Sequence, residues 1–365
     1  MRLVTRSVES AKGAEHFLTV SPDGNGGDRP AEMFAAIDRV LEAKGARNCR
    51  ERVFVPQGQF QEFQEARSQA AHHRPREVLC DWLSAGGRGQ VGGVQAYAVR
   101  GPTDWHTYTA GGAAALAFRQ NGCRWLISGG VTSPQGGEGP EQTRAVFEQG
   151  EALLGQAGMG LHDVARTWLF MHEILGWYGS FNDVRNRLFV ERGLLRKGSG
   201  DAPLVPASTG MGVTPATGQV ALELFAAAGP SAHITRYSAS GKQRSAYEYG
   251  SAFARAAEMH TPAGRSVFVS GTAAIDASGA TCFIDDPKGQ IRMTIDNVIA
   301  VLRDTNCRPS DVVQAIAYCK TPQVMEIFAA GWKEEVPWPW LTVIGDVCRP
   351  DLLFEVEVTA CIAEK

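Results

Sequence analysis

The run SVFVSGTAAI (266–275) alternates apolar and small residues around β-branched valines, the pattern of a half-buried strand. A glycine-containing polar stretch follows, then a helix from about Asp286 to Asp304. Its Ile291, Ile295, Val298 and Leu302 recur at helical spacing and make one buried stripe. PSDVVQAIAYCK (309–320) reads as a strand, QVMEIFAAGWKEE (323–335) as a second amphipathic helix, and LLFEVEVTACIA (352–363) as a closing strand.

The same order occurs twice more. RWLISGGVTS (124–133), EQTRAVFEQGEALLGQAG (141–158), LHDVARTWLFM (161–171), SFNDVRNRLFVERG (180–193) and GQVALELFAAAG (218–229) form a middle copy. Its LHDVARTWLFM shares Asp-Val with PSDVVQAIAYC just before the strand. A more degraded first copy runs through HFLTVSPDG (16–24), AEMFAAIDRVLEAKG (31–45), ERVFVPQ (51–57), FQEFQEARSQAAHH (60–73) and GGVQAYAVRG (92–101). Its first helix has the stripe Met33, Phe34, Ile37, Val40 and Leu41, with Gly45 at the C-cap position.

Each unit therefore reads as β-hairpin, helix, strand, helix, strand. The 365 residues divide into 1–105, 106–232 and 233–365, with AVRGPTDWHTYTAGG (98–112) and AAAGPSAHITRYSASGKQ (226–243) read as linkers. A small sheet with two helices on one face leaves its other face bare. Three copies in one chain can close a ring and bury those faces against each other.

Composition excludes several classes. The apolar fraction of 44% and charged fraction of 21% are those of a folded globular chain. A net charge of −3 argues against a strongly basic nucleic-acid binder. No apolar run reaches the ~18 residues of a membrane span. MRLVTRSVESAKG (1–13) lacks the apolar segment of a secretory signal, so a cytoplasmic location is expected. Eight cysteines form no CxxC and no HExxH is present, so neither a zinc site nor any other metal is expected. Cys319 and Cys361 read as small core side chains. There is no P-loop, GxSxG elbow or GxGxxG after a strand, so no cofactor is expected.

VFVSGTAAID, RMTIDNVIAVL, SDVVQAIAY and DVCRPDLLFEVEVTA together resemble a Rid/YjgF module, the family also called endoribonuclease L-PSP. The likeness covers nearly all of the third unit, extends through ISGG, LHDVARTWLFM and VPASTGMG of the second, and is weak over the first. It implies an α+β fold of tandem chorismate-mutase-like modules, here an intramolecular pseudo-trimer with sheets inside and helices outside. CRPDLLFEVE also resembles the closing run of chorismatases, single-chain relatives that hydrolyse the enol ether of chorismate and release pyruvate. Rid imine deaminases carry a carboxylate-gripping arginine before the penultimate strand; aligned here are Ser208, about Thr342, and the stretch near Trp82. The family's acid on the last strand matches Glu355, with Ala221 and Gly93 at the other two places. One site rather than three is the expectation, between the second and third modules.

Glu355 and Glu357 alternate on one strand and so share a face, either a solvated edge or a site. Enol-ether hydrolysis needs a carboxylic acid kept protonated near neutrality, through burial or through Glu357. Cys348 stands beside Arg349, as an ionisable nucleophile or a small buried thiol. By resemblance, a cysteine here marks hydroxybenzoate-forming chorismatases. Arg349, Arg185 and Arg187 are candidate carboxylate ligands, with Tyr178 at helical spacing from Arg185; the alternative is a solvated helix face and a loop cap. PASTGMG (206–212) reads as a turn that either holds an anion through Ser208 and Thr209 or is purely structural. SGT (270–272) reads as a second small-residue turn that either gives a ring room at Gly271 or is purely structural. PWPWL (337–341) either walls a ring pocket or packs under a loop. His72 and His73 read as a solvated helix end.

The leading expectation is a cofactor-free hydrolase or lyase of a small cyclic carboxylate, with no nucleic acid or membrane partner and a monomeric pseudo-trimer. A Rid-type imine or enamine deaminase and a non-catalytic metabolite-binding protein are the alternatives.

Overall fold

The computed structural model describes residues 1–22, 30–56, 58–71, 78–84, 92–195 and 203–364. His72 and His73 lie outside the described residues. The alternating runs form strands and the apolar stripes form helices. The first sheet is built from β1 (Arg2–Glu9), β2 (Ala14–Ser21), β3 (Arg47–Val55), β4 (Leu79–Ser84) and β5 (Gly93–Arg100), with α1 (Pro30–Lys44) and α2 (Phe60–Ala71). The second uses β6 (Asp104–Ala110), β7 (Ala113–Gln120), β8 (Cys123–Ser128), β9 (Val131–Thr132), β10 (Val164–Met171), β11 (Ala207–Met211) and β13 (Val220–Ala228). Its helices are α3 (Gly139–Gln156) and α4 (Ile174–Glu191), and β12 (Thr214–Pro215) leaves it to pair with β4. The third has β14 (Ile234–Tyr237), β15 (Ala256–Thr261), β16 (Gly264–Ala273), β17 (Val312–Cys319), β18 (Trp340–Ile344) and β19 (Phe354–Ala363). Its helices are α5 (Pro287–Asp304) and α6 (Pro322–Glu335).

The order β2-β5-β3-β4 recurs as β8-β13-β10-β11 and β16-β19-β17-β18. Each unit gains a short strand after its second helix that the sequence pattern did not mark: β4, β11 and β18 pair in parallel with the strand before that helix. PASTGMG is thus mostly strand rather than a turn, and SGT lies inside β16. Strands of five or six residues flanked by proline and glycine leave little periodicity to read. Both stretches read as linkers also carry an edge strand, β6 and β14.

The helices pack on separate apolar clusters, one per sheet. All four stripe residues of α5 are buried, and Asp286 caps the helix by accepting from the Gly289 amide at 3.0 Å. The opposite faces of the three sheets meet in one shared core containing Phe17, Phe54, Trp168, Phe225, Phe268 and Tyr318. Phe54 lies edge-on to Phe170 at 6.3 Å and to Tyr318 at 6.5 Å, so one ring from each unit meets at the centre. Sheets are inside and helices outside. PWPWL serves packing: the Trp338 and Trp340 rings lie 5.1 Å apart at a tilt of 41°, and Phe328 of α6 lies edge-on to Trp340. No helix among the described residues is long and apolar enough to cross a membrane.

Register fixes which positions correspond. Gly93 faces Phe54, Ala221 faces Phe170 and Glu355 faces Tyr318. A Cβ on Gly93 would collide with Leu341 Cδ1 and lie 2.8 Å from the Val20 carbonyl. Leu341, from the third sheet, therefore fills the junction that Gly93 would otherwise open. Gly93→Ala is expected to lose about 1–3 kcal/mol through overpacking, read by denaturant unfolding at unchanged m.

Candidate active site

Glu355 and Glu357 point to the same side of β19, as alternation requires, while Phe354, Val356 and Val358 face the helices. The two carboxylates have different surroundings. Glu357 faces the axis, where its Oε2 accepts from Arg166 at 2.6 Å and its Oε1 from Arg52 at 3.3 Å. Tyr318 donates to Oε1 as well, at 3.3 Å. Glu355 faces a cavity of about 330 Å³ between the second and third sheets. No cation closes a salt bridge on it among the described residues. Burial first, and the Glu357 charge second, push its carboxyl up to about 8 against the pull of Arg255, Arg166 and Arg349.

The cavity draws on both units. From the second come Tyr178, Asn182 and Arg185 of α4 and Ser208 of β11; from the third come Arg255, Gly271, Cys348 and Arg349. Arg185 is buried, donates to Asn182 Oδ1 at 2.6 Å, and lies 5.0 Å over the Phe181 ring. Burial lowers its pKa, partly offset by a hydrogen bond with Tyr178, and its Nε has no partner among the described residues. Tyr178 stacks on Phe181 at 5.9 Å, and burial raises its hydroxyl to about 12, so it is a neutral donor. Arg349 donates to the Gly279 carbonyl at 2.9 Å and lies over the Tyr249 ring at 5.4 Å.

Two neighbouring positions on β11 hold the wall in place. Thr209 lies outside the cavity lining; its Oγ1 accepts from the Gly271 amide at 2.9 Å and from Arg166 at 2.5 Å. The Ser208 amide donates to Ser270 Oγ at 2.8 Å. These bonds seam β11 to β16 and are not an anion nest. The strand bulges between Val269 and Thr272, and a Cβ on Gly271 would run into the Glu355 carboxylate oxygen. Gly271 therefore makes room for the acid itself. Gly271→Ala is expected to fold and to lower kcat/KM about a hundredfold in the reaction proposed below, by displacing that carboxyl.

The structure corrects three expectations. Arg187 lies exposed on the outer side of α4, donating to the Asp183 carbonyl at 3.2 Å, away from the cavity. The Cys348 thiol is not ionised: burial and the Glu355 charge push it up to about 12, outweighing Arg349. Register also aligns Gly210, rather than Ser208, with Trp82 and Thr342, and none of these is arginine. Sequence reasoning missed Arg255, which is buried, donates to Tyr249 Oη and to the Arg244 carbonyl, and lies 5.4 Å over Phe253. Its signal was the cluster of Tyr247, Tyr249, Phe253 and Arg255 leading into β15.

The other junctions differ. Between the first and second sheets lies a space of about 90 Å³ with Ala221 where Glu355 would stand. The junction at Gly93 is closed by Leu341. Among the described residues only one junction combines a large cavity with an acid on the last strand.

Residues 251–362 match the family described as Endoribonuclease L-PSP. No curated protein matches the sequence. A crystal structure of chorismatase superposes with a TM-score of 0.63 at 18% identity, covering 99% of this chain and 98% of that one. The YjgF gene product from E. coli (17% identity, TM-score 0.28) covers 36% of this chain and 100% of its own. A YjgF/YER057c/UK114 family member from Mycobacterium tuberculosis (21%, TM-score 0.28) has the same coverage. The chain therefore has the fold of a chorismatase along its length, built of tandem modules of which the last carries the Endoribonuclease L-PSP match.

Proposed function

We propose that the protein is a cofactor-free, chorismatase-like hydrolase acting on a small cyclic carboxylate at this one cavity. The observation that carries the reading is the Glu355 carboxyl, held near pKa 8 in a cavity lined by Arg185, Arg255 and Arg349. A volume of about 330 Å³ is at the small end of the ~300–1,000 Å³ of metabolite sites.

At neutral pH most of Glu355 is protonated. In enol-ether hydrolysis it gives its proton to the terminal methylene carbon, and the ether carbon becomes an oxocarbenium ion. The Glu355 carboxylate so formed then takes a proton from the water that attacks that carbon. The hemiketal collapses, the ring oxygen leaves as a hydroxyl, and pyruvate is released. The acid is regenerated, so the cycle needs no outside reductant or oxidant. The arginines supply cations for the carboxylates, and Tyr178 supplies a neutral donor. Cys348 contributes a neutral wall.

Incubation with chorismate, with pyruvate followed by a coupled lactate dehydrogenase assay, tests the reading. Pyruvate formed with turnover supports it; ammonia release from an enamine substrate, without pyruvate from chorismate, would replace it with the deaminase reading.

A further inference from the structure

A second concave site lies on the outer surface of the third module. It is a groove of about 530 Å³ between the N-terminal half of α5, α6 and the loop before α5. Three of its lining residues, Lys242, Lys288 and Arg292, are exposed cations, against one carboxylate, Asp296. Among the described residues neither lysine closes a salt bridge. Arg292 stacks 5.7 Å over the ring of Trp332, which lines the groove with Met293 and Phe283.

Phe283 is 52% exposed, an unusual state for a phenylalanine beside a concave surface. It is held there at φ +53° by bonds to its carbonyl from the Asp286 amide at 3.0 Å and from Gln290 Nε2 at 3.3 Å. A strained residue presenting an aromatic ring beside unpaired cations is a recognition surface for a flat anion. Apolar walls favour a ring, and the excess of positive charge favours one or two carboxylates on it.

The groove also backs onto the Glu355 cavity. Asn297 lines the groove and donates to the carbonyls of Ala273 at 3.1 Å and Ile275 at 3.3 Å. Gln243, next to Lys242, donates to the same two carbonyls. Ala273 and Ile275 line the cavity, and Ala273 pairs with Glu355 across β16 and β19. We propose that the groove is a second ligand site, for an aromatic carboxylate, separated from the Glu355 cavity by one strand.

The test uses the full chain labelled with 5-fluorotryptophan, the Trp332 resonance being assigned by Trp332→Phe. Benzene-1,3-dicarboxylate is expected to shift that resonance saturably, whereas the neutral benzene-1,3-dicarboxamide does not. Lys288→Glu with Arg292→Glu, both on the surface, should weaken the response at least about tenfold, and the milder Arg292→Gln should weaken it less. Arg255→Ala, in the other cavity, should leave it in place. A stationary Trp332 resonance, an equal response to the dicarboxamide, or a response that survives the double reversal would overturn the proposal. None of these outcomes depends on whether chorismate is a substrate.

Discussion

Glu355→Gln is expected to release pyruvate from chorismate about 10²–10⁴-fold more slowly than the native protein, with little change in KM. The amide keeps the shape of the acid and fills the space opposite Gly271, but it cannot deliver a proton to carbon. The same substitution should raise stability in alkali. The native carboxyl has its pKa raised from 4.5 to about 8, so the folded state holds this proton more tightly than the unfolded state. Its stabilising contribution is complete below pH 4.5 and is lost as pH rises through about 8. At roughly 1.36 kcal/mol per pH unit, the loss is about 5 kcal/mol. Glu355→Gln has no such proton to lose, so its stability should be flatter with pH and exceed that of the native chain at pH ~9. Urea titrations across this range read that effect separately from activity. A glutamine variant that retained full turnover would remove Glu355 from the chemistry.

Glu357→Gln is expected to act on both stability and pH response. Glu357 is the carboxylate to which Arg166 bonds, and Arg166 is 1% exposed, with Nε and Nη1 unpartnered among the described residues. Nearby, Arg50 and Arg52 converge on Glu223 at the same axis, and all three guanidinium groups lie within 4.7 Å of the Trp168 ring. Removing one of the two negative charges paired there leaves a buried cation uncompensated, at a cost of about 3–5 kcal/mol. Glu355 simultaneously loses the charge that raises its pKa, while Arg166 continues to lower it. The alkaline limb of activity should therefore move to lower pH. A variant that was merely destabilised would lose stability and keep the native limb.

The repeat and the strand–helix order were legible because each rests on a periodicity; strand alternation put Glu355 and Glu357 on one face, while the inward sheets and the choice of Glu355 came with the resemblance to the Rid family. What was not legible depends on contacts between units. Arg255 is far in sequence from α4 and β11, and only closure of the second sheet against the third brings it to Arg185 and Tyr178. Cys348 beside Arg349 suggested an ionised thiol. The fold instead turns Arg349 toward Gly279 and Tyr249, leaving burial to decide the thiol's state. Arg187 follows Arg185 by two positions, which on a helix puts it on a different face. The short strands β4, β11 and β18 carried no pattern, although they form the walls on which Ser208, Thr209 and Leu341 stand.

The central claim is that Glu355 works as a protonated acid in the single open junction. The pH dependence of kcat/KM for pyruvate release from chorismate tests it most directly. The expected profile is level through pH 6–7 and falls with unit slope above an apparent pKa near 8. A rate that rises through pH 8, or no pyruvate at any pH, would contradict it.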